Sequence, residues 1–322
     1  MSILVASGAK GRVSLAYTFS ASTQNASLNV TSLSGYSAGK SDITVTVNSG
    51  VYLWATAITA PGLSLTGGTT GDTITLVNNG FIMGKGGNGF TPTSYTTRIE
   101  AQSGGSAIST SLPITITNTA GYIGGGGGGG GGFWYWDGST GAAYGGGGGG
   151  GGGSGGSSYL GAYYAGGAGG SIGQSGVSPS TLSSEGTPAI VAGGGGRVLP
   201  GTSTTGTFVG SSDYILTWNG LGGSAGGTGG AADFKRGPSY VYTSTGGGPG
   251  QVGSATGTTT DILNFATGGG GGWGAAGSQC TPVSDASNTT PGAGGKAIEL
   301  NGNTITWTGG AASSSRAYGA VS

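Results

Sequence analysis

Two uninterrupted blocks of nine glycines, Gly124–Gly132 and Gly145–Gly153, limit what this chain can become more than any other feature. Nine residues without a side chain cannot pack an apolar face, so neither an amphipathic helix nor a half-buried strand can be built from them. Two outcomes remain. Gly/Ser tracts are random coils by default, or the runs pack against one another through their backbones. The insert between the blocks, "FWYWDGSTGAAY", holds a Phe, two Trp and two Tyr.

The choice turns on repetition. Further runs lie at roughly 166–173, 193–196, 222–230, 246–253, 268–277 and 292–295, with 84–89 as an earlier one. As flexible linkers they would join segments too short to fold alone. Collagen is excluded, because it needs Gly at every third position with abundant Pro, and the chain has 10 Pro. The packed alternative is a bundle of polyproline-II-type glycine helices, each with three residues per turn, ~3.1 Å rise and no internal hydrogen bonds. Their sideways N–H and C=O groups must pair with neighbours, because burying them unpaired is costly. Ordering glycine costs on the order of 1–2 kcal/mol per residue, so only many adjacent runs can offset it cooperatively. The sequence supplies many.

Composition narrows the function. Eighty-two of 322 residues are Gly, there is no His, and ten basic side chains balance ten acidic ones. Ten scattered cations make no stripe for nucleic acid. No apolar run approaches the ~20 residues of a membrane-spanning helix, which argues against membrane insertion. The opening "MSILVASGAKGRVSLAYTFSAS" lacks the charged and apolar regions of a signal peptide. The lone Cys280 excludes an internal disulfide framework and a cysteine zinc site, and the sequence points to no metal and no cofactor. Without His there is no Ser–His machinery. The acids sit singly in different segments, so a glycosidase pair would have to be assembled by folding, for example from Asp137 and Asp233. The chain reads as a non-enzyme.

The expected fold is mainly β and irregular, with essentially no α-helix. Residues 1–65, through "GRVSLAYTFSAS", "NASLNVTSL" and "DITVTVNSGVYLWATA", alternate apolar and small polar residues and read as an N-terminal antiparallel β domain. Residues 66–322 read as a glycine-rich domain with strands at its base. "ITLVNNGFIMGKGGNG" (from Ile74) and "ITITNTAGYIGGGGGG" (from Ile114) share a strand, an Asn turn and an aromatic–Ile pair, and "IELNGNTITWTGG" (from Ile298) repeats the strand. The spacing is about forty residues and then far longer, so the repeat does not read as a regular solenoid.

An N-terminal β segment, packed glycine runs and aromatic loops together resemble the glycine-rich tail-fibre tip adhesins of T-even-type bacteriophages. The junction "NNGFIMGKGGNG" and the ending "GGKAIELNGNTITWTGGAASSSRAYGAVS" are similar in style to receptor-binding segments of other tailed-phage fibre proteins. The resemblance covers about residues 70–322. It implies a protein made in the host cytoplasm and carried at the tail-fibre tip of the virion. Residues 1–65 would attach it to a fibre or tail-tip protein. Loops at the distal end of the glycine scaffold would bind a bacterial outer-membrane protein or surface glycan.

Counting each glycine run as one traverse places loops 133–144, 174–192, 231–245 and 278–291 at the distal end, with the segment after Gly89, and the loops between them at the other. Tyr and Trp offer large contact area at low conformational cost, as in paratopes. The candidate contact residues are Phe133, Trp134, Tyr135, Trp136, Asp137 and Tyr144, with Lys235, Arg236, Tyr240 and Tyr242 around the densest charge cluster. The bland alternative is that the aromatics cap the bundle end. At the level of the whole chain, the alternatives are a structural decoration protein and a surface-polysaccharide depolymerase.

Overall fold

The computed structural model describes residues 6–7, 11–93, 97–136, 141–154, 158–159, 163–164, 168–169, 204–209, 214–220, 233–236, 243–256, 268–280, 287–309 and 316–322. The described chain is mainly β; its helical content is one 3₁₀ turn, Val30–Ser32, capped by the Asn29 side chain. Two compact units form: residues 1–84, 106–125 and 296–322 in one, and 85–105 and 126–295 in the other.

The first unit is a parallel β-solenoid. Each coil gives one strand to each of three sheets, in the same order. Val13–Phe19, Ser41–Val47, Thr73–Asn78, Ile114–Thr117 and Ile305–Gly309 stack in parallel on the first face. Thr23–Gln24, Tyr52–Trp54, Phe81–Met83, Tyr122–Gly124 and Ala317–Tyr318 form the second. Ala26–Asn29, Leu63–Thr66, Ile108–Thr110 and Ile298–Glu299 form the third, and Val321 bridges to Ile298. The antiparallel reading of the N-terminal strands is therefore corrected: among the described residues of this unit the antiparallel pair is Ala6–Ser7 against Val13–Phe19. Alternation reports that one face is buried, as in the buried-every-second pattern of Ser41–Val47, but carries no information about the direction of the neighbouring strand. Nor does the sheet stop at residue 65, since Ser41–Val47 pairs with Thr73–Asn78.

Parallel register stacks like on like. Leu15, Ile43, Ile74, Ile114 and Ile305 form one column, and Tyr17, Val45, Leu76, Ile116 and Trp307 the next. Val45, Leu76 and Ile116 are completely buried. On the second face Tyr52, Phe81 and Tyr122 stack outside the core at 4.9 and 5.5 Å between ring centres, and the Arg316 guanidinium lies 5.0 Å from the Tyr122 ring. Buried Asn78 donates to Asn118 at 2.8 Å, one coil on. That pair is the "N" of the two repeated motifs, and it satisfies polar groups that would be costly alone.

The solenoid was hidden by insertion. Ile74 and Ile114 are 40 positions apart and Ile114 and Ile305 are 191, but 21 and 170 of those positions belong to the second unit, which leaves coils of 19 and 21 residues. Both insertions leave after the second face and return before the third. In the first coil that corner is the single residue Asn25, at φ 47°, a left-handed conformation that Asn tolerates. Its side chain exchanges hydrogen bonds with Thr56 at 2.7 and 2.9 Å.

Among the described residues, the buried apolar core cluster lies in the first unit and not in the second. The segments of the second unit bond through the backbone, and the partners change with a period of three. Along 126–131, Gly127 and Gly130 donate to Gly150 and Gly147, Gly128 and Gly131 to Ala275 and Ser278, and Gly126 and Gly129 to Gly105 and Gln102. The carbonyls of the same residues accept in the same rhythm. Gly127 and Gly130 receive Gly87 and Phe90, Gly128 and Gly131 receive Gly271 and Gly268, and Gly126 and Gly129 receive Gly295 and Gly292. Six neighbours thus surround one run, at N···O distances of 2.7–3.1 Å. There is no room for a side chain: a Cβ on Gly126, Gly127, Gly128, Gly129 or Gly130 would stand 1.9–2.0 Å from a neighbour's carbonyl oxygen.

Candidate functional site

The pairing order fixes which way each segment runs. Taking 124–132 as forward, 84–90 and 275–278 are forward and 102–105, 145–150, 268–271 and 292–295 are reverse. The run 145–156 is not one traverse. Gly151 and Gly152 have φ of 93° and 83°, Gly153 N–H bonds back to Gly149, and residues 151–154 pair forward beside 86–89. Reversals also occur around Gly250 (φ 71°) and Gly274 (φ 68°), where Gln251 bonds back to Gly248 and Ala275 to Gly272. Glycine supplies both the straight segment and the left-handed turn, so no change of residue type announces the turn.

The alternation of loops is corrected accordingly. The chain leaves after Gly132, Ser154, Gly253 and Cys280 at the same end of the unit, and also after Phe90. The described strands Ser158–Tyr159 and Ser254–Thr256, which follow Ser154 and Gly253, therefore start from this end, where counting had put the segments after 156 and 253 at the other.

Short antiparallel strands mark this loop end. Phe133–Trp136 pairs with Gly141–Tyr144, placing Phe133 opposite Tyr144 and Trp134 opposite Ala143. Phe133 and Trp134 also face Asn288 and Ser287 on the other side. Ala143 pairs with Tyr159, and Ser158–Tyr159 with Tyr163–Tyr164, completing a five-stranded sheet. Five of the candidate contact residues, Phe133 to Trp136 and Tyr144, therefore share one hairpin. Lys235 and Arg236 lie in a different sheet, opposite Ile215 and Tyr214. Asp137, Tyr240 and Tyr242 fall outside the described residues, as does loop 174–192.

Next to this sheet Thr289 and Cys280 are buried. Thr289 Oγ1 accepts from Gly132 N at 2.7 Å, and the Cys280 thiol donates to the Gly132 carbonyl at 3.1 Å. Burial pushes the Cys280 pKa up to about 12, so it is a packed thiol and not a nucleophile. A second hairpin, Thr91–Pro92 with Arg98–Ile99, also rises at this end and lies beside strands Gly141–Tyr144 and Ser158–Tyr159. Counting placed the segment after Gly89 here, but no aromatic cluster singled it out as a contact element.

Among the described residues no group of three His, Cys, Asp or Glu could hold a metal ion. A groove on the solenoid, about 570 Å³, is lined by Thr69, Thr70, Asp72, Ser111, Pro113 and Asn303 among others. Its carboxylate is occupied structurally: Asp72 accepts from the amides of Ser41 and Thr69 at 3.0 and 2.8 Å and from the Tyr36 hydroxyl at 2.7 Å.

Comparison with known proteins bears on the family of the chain. No curated protein matches the chain. Among solved structures, a chain of the gp37-gp38 adhesin tip complex of the bacteriophage S16 long tail fiber is similar at 17% identity and a TM-score of 0.40, over 95% of this chain and 82% of that one. The family described as "Phage tail fibre adhesin Gp38" matches residues 14–189, more than half of the sequence. The chain belongs to the phage tail fibre adhesin family Gp38.

Proposed function

We propose that this tail-fibre adhesin recognises an outer-membrane protein or surface glycan of its bacterial host through the loop end of the glycine unit, and that the solenoid attaches it at the fibre tip. One observation carries the reading. Where the flanking glycine segments are described, the long loops leave from one end, and tight Gly turns close the other. A scaffold that collects its aromatic segments on one surface is built for contact. A decoration protein has no need of that segregation.

The glycine segments themselves are polyproline-II-type helices in this reading. The support is the three-residue rhythm of their hydrogen bonds, which matches three residues per turn, and the six neighbours around 124–132. Within the loop end, the hairpin holding Phe133, Trp134, Tyr135, Trp136 and Tyr144 is the central contact, flanked by Asp137. Lys235, Arg236, Tyr240 and Tyr242 contribute from a separate segment. The role in this reading is binding without catalysis; Asp42 and Asp72 are engaged with Arg12 and with Ser41.

The test is adsorption of purified, labelled protein to candidate host cells, beside a variant in which 133–144 is replaced by Gly-Ser and unfolds at the parent temperature. Selective adsorption by the parent, reduced at least tenfold in the variant, is expected. Equal adsorption by the two would remove the hairpin from the contact. Release of reducing ends from host polysaccharide would sink the binding-only reading.

A further inference from the structure

We infer that Asn301–Gly302 is a site of spontaneous deamidation, and that its product unties the solenoid coil beginning at Ile298 from the coil before it.

Asn–Gly steps occur at Asn79, Asn88, Asn219 and Asn301. Asparagine is a thermolabile residue, and deamidation runs fastest where the next residue is Gly, because no Cβ hinders approach to its amide nitrogen. What separates the four steps is whether that nitrogen is free. Gly80 N donates to Asn78 Oδ1 at 3.2 Å, and Gly80 is buried. Gly89 N donates to the Ser154 carbonyl at 2.9 Å, while Asn88 Oδ1 accepts from Ser154 N at 2.9 Å. Gly220 lies in a strand, opposite Thr204. Gly302 N has no hydrogen-bond partner among the described residues. Both Asn301 and Gly302 are exposed, and a Cβ on Gly302 would meet nothing within 4 Å.

The local geometry is a tight turn. Asn301 and Gly302 have φ of 51° and 83°, and Asn303 N donates to the Leu300 carbonyl at 2.9 Å. The Asn301 side chain is held by two bonds to the preceding coil, from Nδ2 to Ser109 Oγ at 3.0 Å and to the Thr110 carbonyl at 3.1 Å. At an exposed position such bonds exchange readily with water, which frees Cγ to meet the Gly302 nitrogen. That nitrogen attacks Cγ and forms the new N–C bond. Its proton passes through water to Nδ2, the Cγ–Nδ2 bond breaks, and ammonia leaves. Water then opens the cyclic imide at either carbonyl, giving aspartate or isoaspartate at position 301.

The product reverses the hydrogen bonding. A carboxylate only accepts, so it can still receive the Ser109 hydroxyl but faces the Thr110 carbonyl with like charge. Ser109 and Thr110 belong to the strand Ile108–Thr110, on which Ile298–Glu299 stacks in parallel. One clasp between these coils is therefore lost.

The test ages the full-length protein in mildly alkaline buffer, beside a free peptide of residues 298–305, and maps the acid by mass spectrometry. Acid at 301 is expected to accumulate at least tenfold faster than at 79, 88 or 219, with isoaspartate in the product. Ser109→Ala, which releases the side chain and leaves the Asn–Gly step intact, should speed conversion. Asn301→Asp should unfold at a lower temperature than the parent. An intact amide at 301 after the peptide has converted would overturn the site, as would equal conversion at 79 or 88. An unchanged unfolding temperature for Asn301→Asp would overturn the untying.

Discussion

The two units of this molecule solve one problem by opposite means. Backbone polar groups must be paired wherever water is excluded. The solenoid pairs them in parallel ladders, and its stability comes from side chains stacked in columns such as Val45, Leu76 and Ile116. The glycine unit pairs them in a rhythm of three with up to six neighbours, and over 126–130 there is no side chain to pack. The solenoid is held by side chains in register, whereas in the glycine unit a methyl group does not fit over 126–130.

The sharpest way to break the comparison is to separate the units. Both insertions use the corner that Asn25 closes alone in the first coil. Joining Met83 to Ile108 and Gly124 to Ile298 through one Asn each should therefore leave a continuous solenoid. The expected product is a folded β protein by circular dichroism that binds no host cells yet competes with the intact chain for the fibre. A product that does not fold would show that the solenoid depends on its insertions.

Single substitutions sharpen it further. Gly128→Ala puts a Cβ 1.9 Å from the Gly292 carbonyl oxygen, against backbone held on every side. The expected loss is about 4–5 kcal/mol or more, in the range reserved for severe defects, and adsorption should fall with it. Ile116→Ala empties a fully buried position in the solenoid column, at a cost of about 2–5 kcal/mol. Thermal unfolding should show the first change in the glycine unit and the second in the solenoid. If Gly128→Ala were neutral, tight backbone packing would not be what holds the glycine runs.

Much of this was legible in the sequence, for physical reasons that also explain the rest. Glycine blocks beside aromatic inserts pointed to a scaffold with loops, and the repeats at Ile74, Ile114 and Ile298 pointed to strands that meet. Ile74 and Ile114 do meet, and the third copy joins them through Ile305, while Ile298 pairs with Ile108 in another sheet. Strand direction was not legible, because Ser41–Val47 would alternate identically in either kind of sheet. The solenoid period was masked by 170 inserted residues between two coils. The reversals at Gly151, Gly250 and Gly274 were invisible because they are made of the residue that surrounds them. For the proposed contact surface, aromatic content points to Phe133–Trp136, whose strand pairs with Gly141–Tyr144.

The mildest expected effect separates the units by pH. Among the described side chains, the buried carboxylate of the solenoid is Asp72. Burial alone would raise its pKa, but the amides of Ser41 and Thr69, then the Tyr36 and Thr69 hydroxyls, outweigh burial and hold it below the ordinary value. Asp42 is lowered likewise, first by its hydrogen bonds with Arg12 and then by Thr73. A carboxyl lowered in the folded state contributes stability that is present above the ordinary aspartate value of about 4 and is lost as pH falls through the folded value. The glycine segments of the second unit are held by amides and carbonyls, which do not titrate. Acid should therefore lower the solenoid's unfolding temperature below about pH 4 and leave the glycine unit's nearly unchanged, giving two transitions that move apart in calorimetry. Asp72→Asn keeps one acceptor oxygen and no charge. It should destabilise the solenoid at pH 7 and flatten its response to acid. Equal shifts of both transitions would mean that the units unfold as one.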